Sequence, residues 1–320
     1  MTSRSWWNSF KRVLTLAFFA LVAWLLVSQA RTIDWDKVGT ALVDYPVTVI
    51  GGAVLLAVAS YVLYSCFDLL GRHYTGHKLG KLTVMTITFV SYAFNLNLGS
   101  LIGGVAFRYR LYSRLGIENS TITRIMAISM LTNWMGYLLL GGLVFAVQPP
   151  TPPADWSLTA SGLHWIGFAL LAVVAAYITL CALSKKRTYT VRGHALDLPS
   201  LRLAGLQLLM GAGNWLLMSG IIFILFQQKI EFSAVVSVLL LAAIAGVVTH
   251  VPAGLGVLEA VFVALLSHQM PAHEILASLV AYRLLYYIAP LVIAAVVYLV
   301  KESQAKKTKK IAKKYLEKPF

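Results

Sequence analysis

The sequence predicts an all-α polytopic membrane protein, with about six full transmembrane helices and two broken, re-entrant helical hairpins in an inverted repeat, both termini cytoplasmic. Three observations lead there. Of 320 residues, 59% are apolar and 12% charged, with a mean hydropathy of +0.76; that is more apolar side chain than one compact core encloses. Apolar runs long enough to cross a hydrocarbon layer recur along the whole chain. The 27 Lys and Arg, against 12 Asp and Glu, gather in alternate loops, as cytoplasmic loops do. A soluble globular enzyme is excluded, and the net charge of +15 reads as topology rather than nucleic-acid binding.

The first apolar run, Val13 to Val27, follows Arg4, Lys11 and Arg12, with Trp6, Trp7 and Phe10 suited to the headgroup layer. It reads as a retained helix; Ser28-Gln29-Ala30 leaves open a cleaved signal peptide. Residues 31 to 45 place Ile33, Val38, Ala41, Leu42 and Tyr45 on one face, an external interfacial helix. The second span, 46 to 70, delivers the chain to the basic loop Arg72, Lys78 and Lys81. Asp68 lies four residues before Arg72, the spacing of a local ion pair.

Residues 82 to 107 are apolar but broken by Asn95, Asn97, Gly99, Ser100, Gly103 and Gly104, then meet Arg108, Arg110, Arg114 and Arg124. Both flanks are basic, so this is a re-entrant hairpin or two short spans, tolerated where the broken backbone packs in protein or lines a wet cavity. Span 125 to 147 ends at the proline-rich loop 148 to 153; span 163 to 183 returns to Lys185, Lys186, Arg187, Arg192 and Arg202, and span 203 to 226 leaves again. A second broken element, 233 to 266, is interrupted at Thr249-His-Val-Pro-Ala-Gly-Leu-Gly256, with Pro252, Gly254 and Gly256 as the backbone breaks. Both of its flanks are poor in Lys and Arg and read as external. Span 275 to 300 then reaches a cytoplasmic tail, 301 to 320, with eight lysines in eighteen residues.

The chain thus divides into membrane halves 1 to 147 and 148 to 300, each running span, span, broken element, span, from opposite sides. Leu101-Ile-Gly-Gly-Val105 echoes Gly254-Leu-Gly-Val257. Inverted repeats with paired broken helices are the plan of many secondary transporters, with substrate bound where the breaks meet. Asn133-Trp134 and Asn214-Trp215 form another echo, outside the repeat spacing.

Arg283 lies eight residues into the last span, where a cation is costly and calls for a partner or a role. Glu259, the one acid in its apolar stretch, is the economical partner; the pair either pins hairpin to helix or meets substrate or proton. Tyr282 and Tyr286 share a helix face, and Tyr287 is one turn from Arg283, where stacking or a hydroxyl helps hold the guanidinium; interfacial aromatics are the alternative. His250 suits proton coupling or a structural role. Arg108 and Arg110 offer guanidinium forks to lipid phosphate, or serve as topological charges. Asn97 belongs to a set of neutral polar groups that glue helices or line a path. Cys66 and Cys181 sit in apolar runs, and neither a metal site nor a cofactor motif is present. The expectation is a non-enzyme with no cofactor, whose partners are membrane phospholipids, with the Lys301 to Lys318 tail on an anionic leaflet. Homo-oligomerisation stays open.

Leu101-Ile-Gly-Gly-Val-Ala-Phe-Arg-Tyr-Arg-Leu-Tyr-Ser-Arg-Leu-Gly-Ile117, Val251-Pro-Ala-Gly-Leu-Gly-Val-Leu-Glu-Ala260 and Ala281-Tyr-Arg-Leu-Leu-Tyr286 together resemble the transmembrane region of lysylphosphatidylglycerol synthases, and in particular the standalone, YbhN-type inner-membrane proteins. The resemblance runs from about residue 13 to 300. It implies a flippase-like fold in a bacterial inner membrane without the soluble aminoacyl-transfer domain. The pattern departs at Leu258, where relatives carry arginine. Lipid movement between leaflets is therefore the expected function; a proton-coupled carrier for a small solute and a non-transporting scaffold are the alternatives.

Overall fold

The computed structural model describes residues 43–150, 159–184, 188–191, 194–249, 251 and 254–316, with positions 36, 39 and 40. The expected span 13–27, most of the 31–45 stretch, His250 and Pro252 lie outside them.

Helices α1 (Val47–Ser65) and α2 (Phe67–Thr75) run on as one rod, because Cys66 between them stays right-handed; Gly76, at φ +69°, ends it. The first broken element is a hairpin. Helix α3 (Lys81–Leu98) turns at Gly99, whose φ of +83° only glycine takes without strain, and returns as a π-helical stretch (Ser100–Ala106) and α4 (Phe107–Arg114). The two arms meet at backbone contact: a Cβ on Gly103 would lie 2.2 Å from the Phe94 carbonyl. Helix α5 (Asn119–Val147) and α6 (Ala160–Leu183) follow. Next comes a small antiparallel ribbon, β1 (Thr188–Val191) with β2 (His194–Asp197), Thr188 opposite Asp197. This ribbon is the one departure from an all-helical chain among the described residues; it lies in the basic loop, where no hydrocarbon forces helix.

Helix α7 (Leu201–Leu225) starts at Ser200, whose hydroxyl accepts from the Leu203 N–H. The second broken element comprises α8 (Phe232–Thr249) and α9 (Val257–Leu266), the latter entered through Gly254 and Gly256, both at positive φ. The last helix is α10 (Ala272–Arg283), a π-helical turn (Leu284–Ile288) and α11 (Ala289–Leu316).

Among the described residues, six helical segments are long and apolar enough to cross a membrane: Val47–Thr75, Asn119–Val147, Ala160–Leu183, Leu201–Leu225, Phe232–Thr249 and Ala272–Ser303. Five coincide with expected full spans. The sixth is the first arm of the second broken element, so that hairpin is asymmetric: at 1.5 Å per residue α8 is about 27 Å long and α9 about 15 Å.

Loop contacts sort the ends into two faces. Gln148 donates to Glu231 at 3.3 Å and Lys229 pairs with Glu274 at 2.5 Å. The end of α5 and the starts of α8 and α10 therefore share one face. On the other, Arg114 pairs with Glu302, and Thr83 lines the same cavity as both. The first hairpin thus opens from the basic face and the second from the opposite one. Packing repeats with the halves exchanged: α3 lies on α11 as α8 lies on α5, α9 lies on α10 as α4 lies on α5, and α1 meets α7 at the centre.

The core gathers at that α1–α7 contact. Tyr61, Tyr64, Phe67, Tyr92, Phe226, Phe262, Tyr282 and Tyr286 are buried in one cluster. Helices α5 and α7 cross at Gly136 and Gly211, where a Cβ on either would lie 2.1–2.2 Å from the other's backbone. The Asn-Trp echo is explained there in part: the Trp215 indole N–H reaches the Asn133 carbonyl at 3.4 Å across the crossing, while Asn214 faces α1. The outer faces carry Leu55, Val58, Trp165, Phe168, Val292 and Val296, apolar side chains left for lipid.

Candidate functional site: two arginine–carboxylate clasps and a π-helical turn

Glu259 sits in the first turn of α9 and Arg283 ends α10, and the fold brings them together as expected. The Arg283 Nε meets Glu259 Oε1 at 2.5 Å, and Nη2 reaches Oε2 at 3.1 Å and the Gly254 carbonyl at 3.0 Å. Left-handed Gly254 and Gly256 turn the backbone so that this carbonyl faces the guanidinium. Tyr287 stacks its ring 5.2 Å below the Arg283 carbon, a cation–π support that fixes the fork. Both charged side chains keep 14% exposure, so the clasp is closed but reachable.

Immediately after Arg283 the helix widens into its π-helical turn. Widening shifts backbone hydrogen bonds to i+5 and leaves carbonyls open to side-chain donors. Two donors take them: Asn97, at the tip of the first hairpin, donates to the Tyr287 carbonyl at 3.1 Å, and the Tyr61 hydroxyl donates to the Tyr286 carbonyl at 3.0 Å. Both broken elements therefore converge within about a turn of the same helix, the first through Asn97 and the second through Glu259 and Gly254. Gly103 and Gly104 shape this from behind, Gly104 leaving room for the Asn95 amide at 2.9 Å from an added Cβ.

Tyr282 and Tyr286, the candidate substrate contacts, are both fully buried, their rings stacked 5.4 Å apart. The Tyr286 hydroxyl joins a chain from Tyr92 (3.0 Å) through Ser60 (2.6 Å) to the Asn214 side-chain oxygen Oδ1 (2.8 Å). That polar thread through the apolar centre is illegible in the sequence, since its bonded neighbours are 154 to 226 residues apart, across α1, α3, α7 and the last helix.

Arg108 and Asp68 form a second clasp and correct the expectation that Asp68 pairs with Arg72. Arg108 is 2% exposed and Asp68 wholly buried. Nε and Nη2 of Arg108 fork onto Asp68 at 3.1 and 3.2 Å, Nη2 also donates to Ser129, and Tyr112 donates to Asp68 at 3.0 Å. Arg72 instead donates to the Leu79 carbonyl at 2.7 Å. The reason is reach: α4 passes against α2 and α5, so a buried carboxylate is met by a buried guanidinium, while Arg72, at the mouth, turns to the loop. At 2% exposure the Arg108 guanidinium is spent on Asp68 and not open to a lipid phosphate. Arg110, two residues on and so on the other side of α4, stays on the surface, 3.7 Å from Glu302.

Each clasp ties the return arm of a hairpin by one arginine–carboxylate fork, α4 to α2 and α9 to α10. Bidentate forks of this kind suit carboxylate and phosphate alike. The first is sealed; the second can be reached.

A sequence model of the lysylphosphatidylglycerol synthase TM region matches residues 12–294. Over 302 residues the chain is 46% identical to inner membrane protein YbhN of Escherichia coli, covering 94% of this chain and 95% of that one. It is 30% identical over 293 residues to an uncharacterized protein of Synechocystis, covering 89% and 90% respectively. With a phosphatidylglycerol lysyltransferase of Staphylococcus haemolyticus it shares 24% identity over 251 residues, 77% of this chain but 28% of the relative. The chain is a multi-pass inner membrane protein and belongs to the lysylphosphatidylglycerol synthase transmembrane-region family.

Proposed function

We propose that this protein moves a phospholipid or lipid-linked amphiphile between the leaflets of the inner membrane, at the place where the two hairpins converge on the last helix. The observation that carries this reading is that convergence: an accessible Arg283–Glu259 fork, a π-helical turn held by Asn97 and Tyr61, and two hairpins opening from opposite faces, all in apolar surroundings. A headgroup phosphate entering there competes with Glu259 for Arg283, while Tyr287 and the Gly254 carbonyl hold the guanidinium in place. Acyl chains stay in lipid. The role assigned to the site is carriage rather than bond chemistry, so the protein is read as a transporter and not an enzyme. Membership of a family that includes phosphatidylglycerol lysyltransferases supports a lipid as cargo.

The test is leaflet exchange of labelled phospholipids in proteoliposomes, comparing the parent with Glu259→Gln, Arg283→Ala and empty vesicles. Exchange by the parent that both variants lose supports the reading. Exchange absent for every headgroup, with and without a proton gradient, overturns it. Solute uptake that depends on pH and Glu259 would then support a small-solute carrier.

A further inference from the structure

On the basic face, well away from the Arg283 clasp, α3, α4 and α11 enclose a groove of about 190 Å³. Its inner wall is apolar, formed by Ile87, Val90, Leu111, Leu115 and Val297, and its mouth carries Thr83, Arg114, Lys301 and Glu302. Nothing in the proposed transport path uses it. Arg110 borders the mouth, its guanidinium 5.6 Å from the Tyr298 ring.

Glu302 dominates this rim. Its carboxylate pairs with Arg114, Nη2 approaching Oε1 at 3.2 Å, and stands 3.7 Å from Arg110. Glu302 is 17% exposed, whereas Arg114 and Arg110 are 41% and 54% exposed. A half-buried anion held by two solvent-facing forks, with Lys301 beside it, leaves the rim with a surplus of positive charge. The apolar wall begins directly behind that rim.

We propose that this groove is a resident binding site for one anionic phospholipid. Its phosphate is taken by Arg114 and Arg110 with Lys301, one acyl chain lies on the Ile87–Leu111–Val297 wall, and Glu302 is a latch that occupies the guanidinium forks when the site is empty. Charge complementarity supports the choice: two arginines and a lysine face one carboxylate, and guanidinium accepts phosphate with the geometry it uses for carboxylate. The apolar inner wall suits an acyl chain, which a free ion lacks. The site does not rest on the transport reading. It fills whether or not the protein exchanges lipids.

The experiment measures binding of short-chain phosphatidylglycerol to the purified full chain in detergent, with short-chain phosphatidylcholine and inorganic phosphate as separate arms. Saturable phosphatidylglycerol binding is expected, with the other two at least about tenfold weaker. Glu302→Gln should tighten it roughly two- to fivefold, the range an exposed ion pair holds back. Arg114→Ala should weaken it about tenfold, the scale of a charge-assisted fork. Val297→Phe, which fills the wall and leaves the rim intact, should weaken phosphatidylglycerol binding as well. The proposal is overturned if phosphate binds as well as phosphatidylglycerol, or if Glu302→Gln fails to tighten binding in a protein with an unchanged unfolding midpoint. Glu259→Gln should leave this binding intact, which separates failure here from failure of the transport reading.

Discussion

Arg108→Ala offers the most direct test of the sealed clasp. Asp68 has no solvent access and accepts three hydrogen bonds, two from Arg108 and one from the Tyr112 hydroxyl. Truncating Arg108 leaves a buried carboxylate with the tyrosine alone, and breaking a buried pair from one side costs about 3–5 kcal/mol. Asp68→Asn should cost about as much, because it strands a guanidinium that is 2% exposed. Replacing both, Asp68→Leu with Arg108→Met, removes both desolvation penalties and should cost no more than about 2 kcal/mol. The double variant should therefore cost at least about 1 kcal/mol less than either single one. Thermal unfolding in detergent, followed by the reaction of buried Cys181 with a thiol dye, reads all four proteins. A double variant no more stable than Arg108→Ala would refute the reasoning, as would an Arg108→Ala protein that unfolds with the parent.

Three further outcomes follow from local geometry. Gly211→Ala puts a methyl about 2.2 Å from the Thr132 carbonyl oxygen, too close to relax without parting α5 from α7; the unfolding midpoint should fall by several degrees, whereas Gly205→Ala, with open space around it, should hold it. His77, in the loop between α2 and α3, has its pKa lowered from 6.5, by burial first and then by the Arg72 charge, with Asp68 opposing. The unfolded state then binds the proton more readily, so stability from this group is full above about pH 6.5 and is lost as pH falls toward the folded-state value. His77→Asn should flatten the slope of the unfolding midpoint below pH 6.5, and an unchanged slope would exclude His77 as its source. Reporter fusions at residues 118 and 271 should give opposite sides, since the loops there lie on opposite faces; the same side for both would contradict the packing.

Much of this architecture was written in composition. Hydrocarbon demands about twenty apolar residues per crossing and expels unpaired charge, so run lengths and basic clusters located five spans and both interrupted elements before any contact was known. Glu259 was legible as the partner of Arg283 because a buried cation in an apolar stretch had a single acid at hand. Tertiary packing decided what spacing alone left ambiguous. Asp68 had an arginine four residues away and still paired with Arg108, forty residues on, because α4 brings a buried guanidinium against it while Arg72 turns to the loop. The hydroxyl chain Tyr92–Tyr286–Ser60–Asn214 exists only where α1, α3, α7 and the last helix meet. Glycines at 136 and 211 look like ordinary small residues until two backbones come within contact there. Sequence carries the solvent a residue must face, since hydrophobicity is a property of each side chain. Which polar group meets which is a property of distance across the fold, set by helices crossing and by the π-helical turn that opens carbonyls to Asn97 and Tyr61.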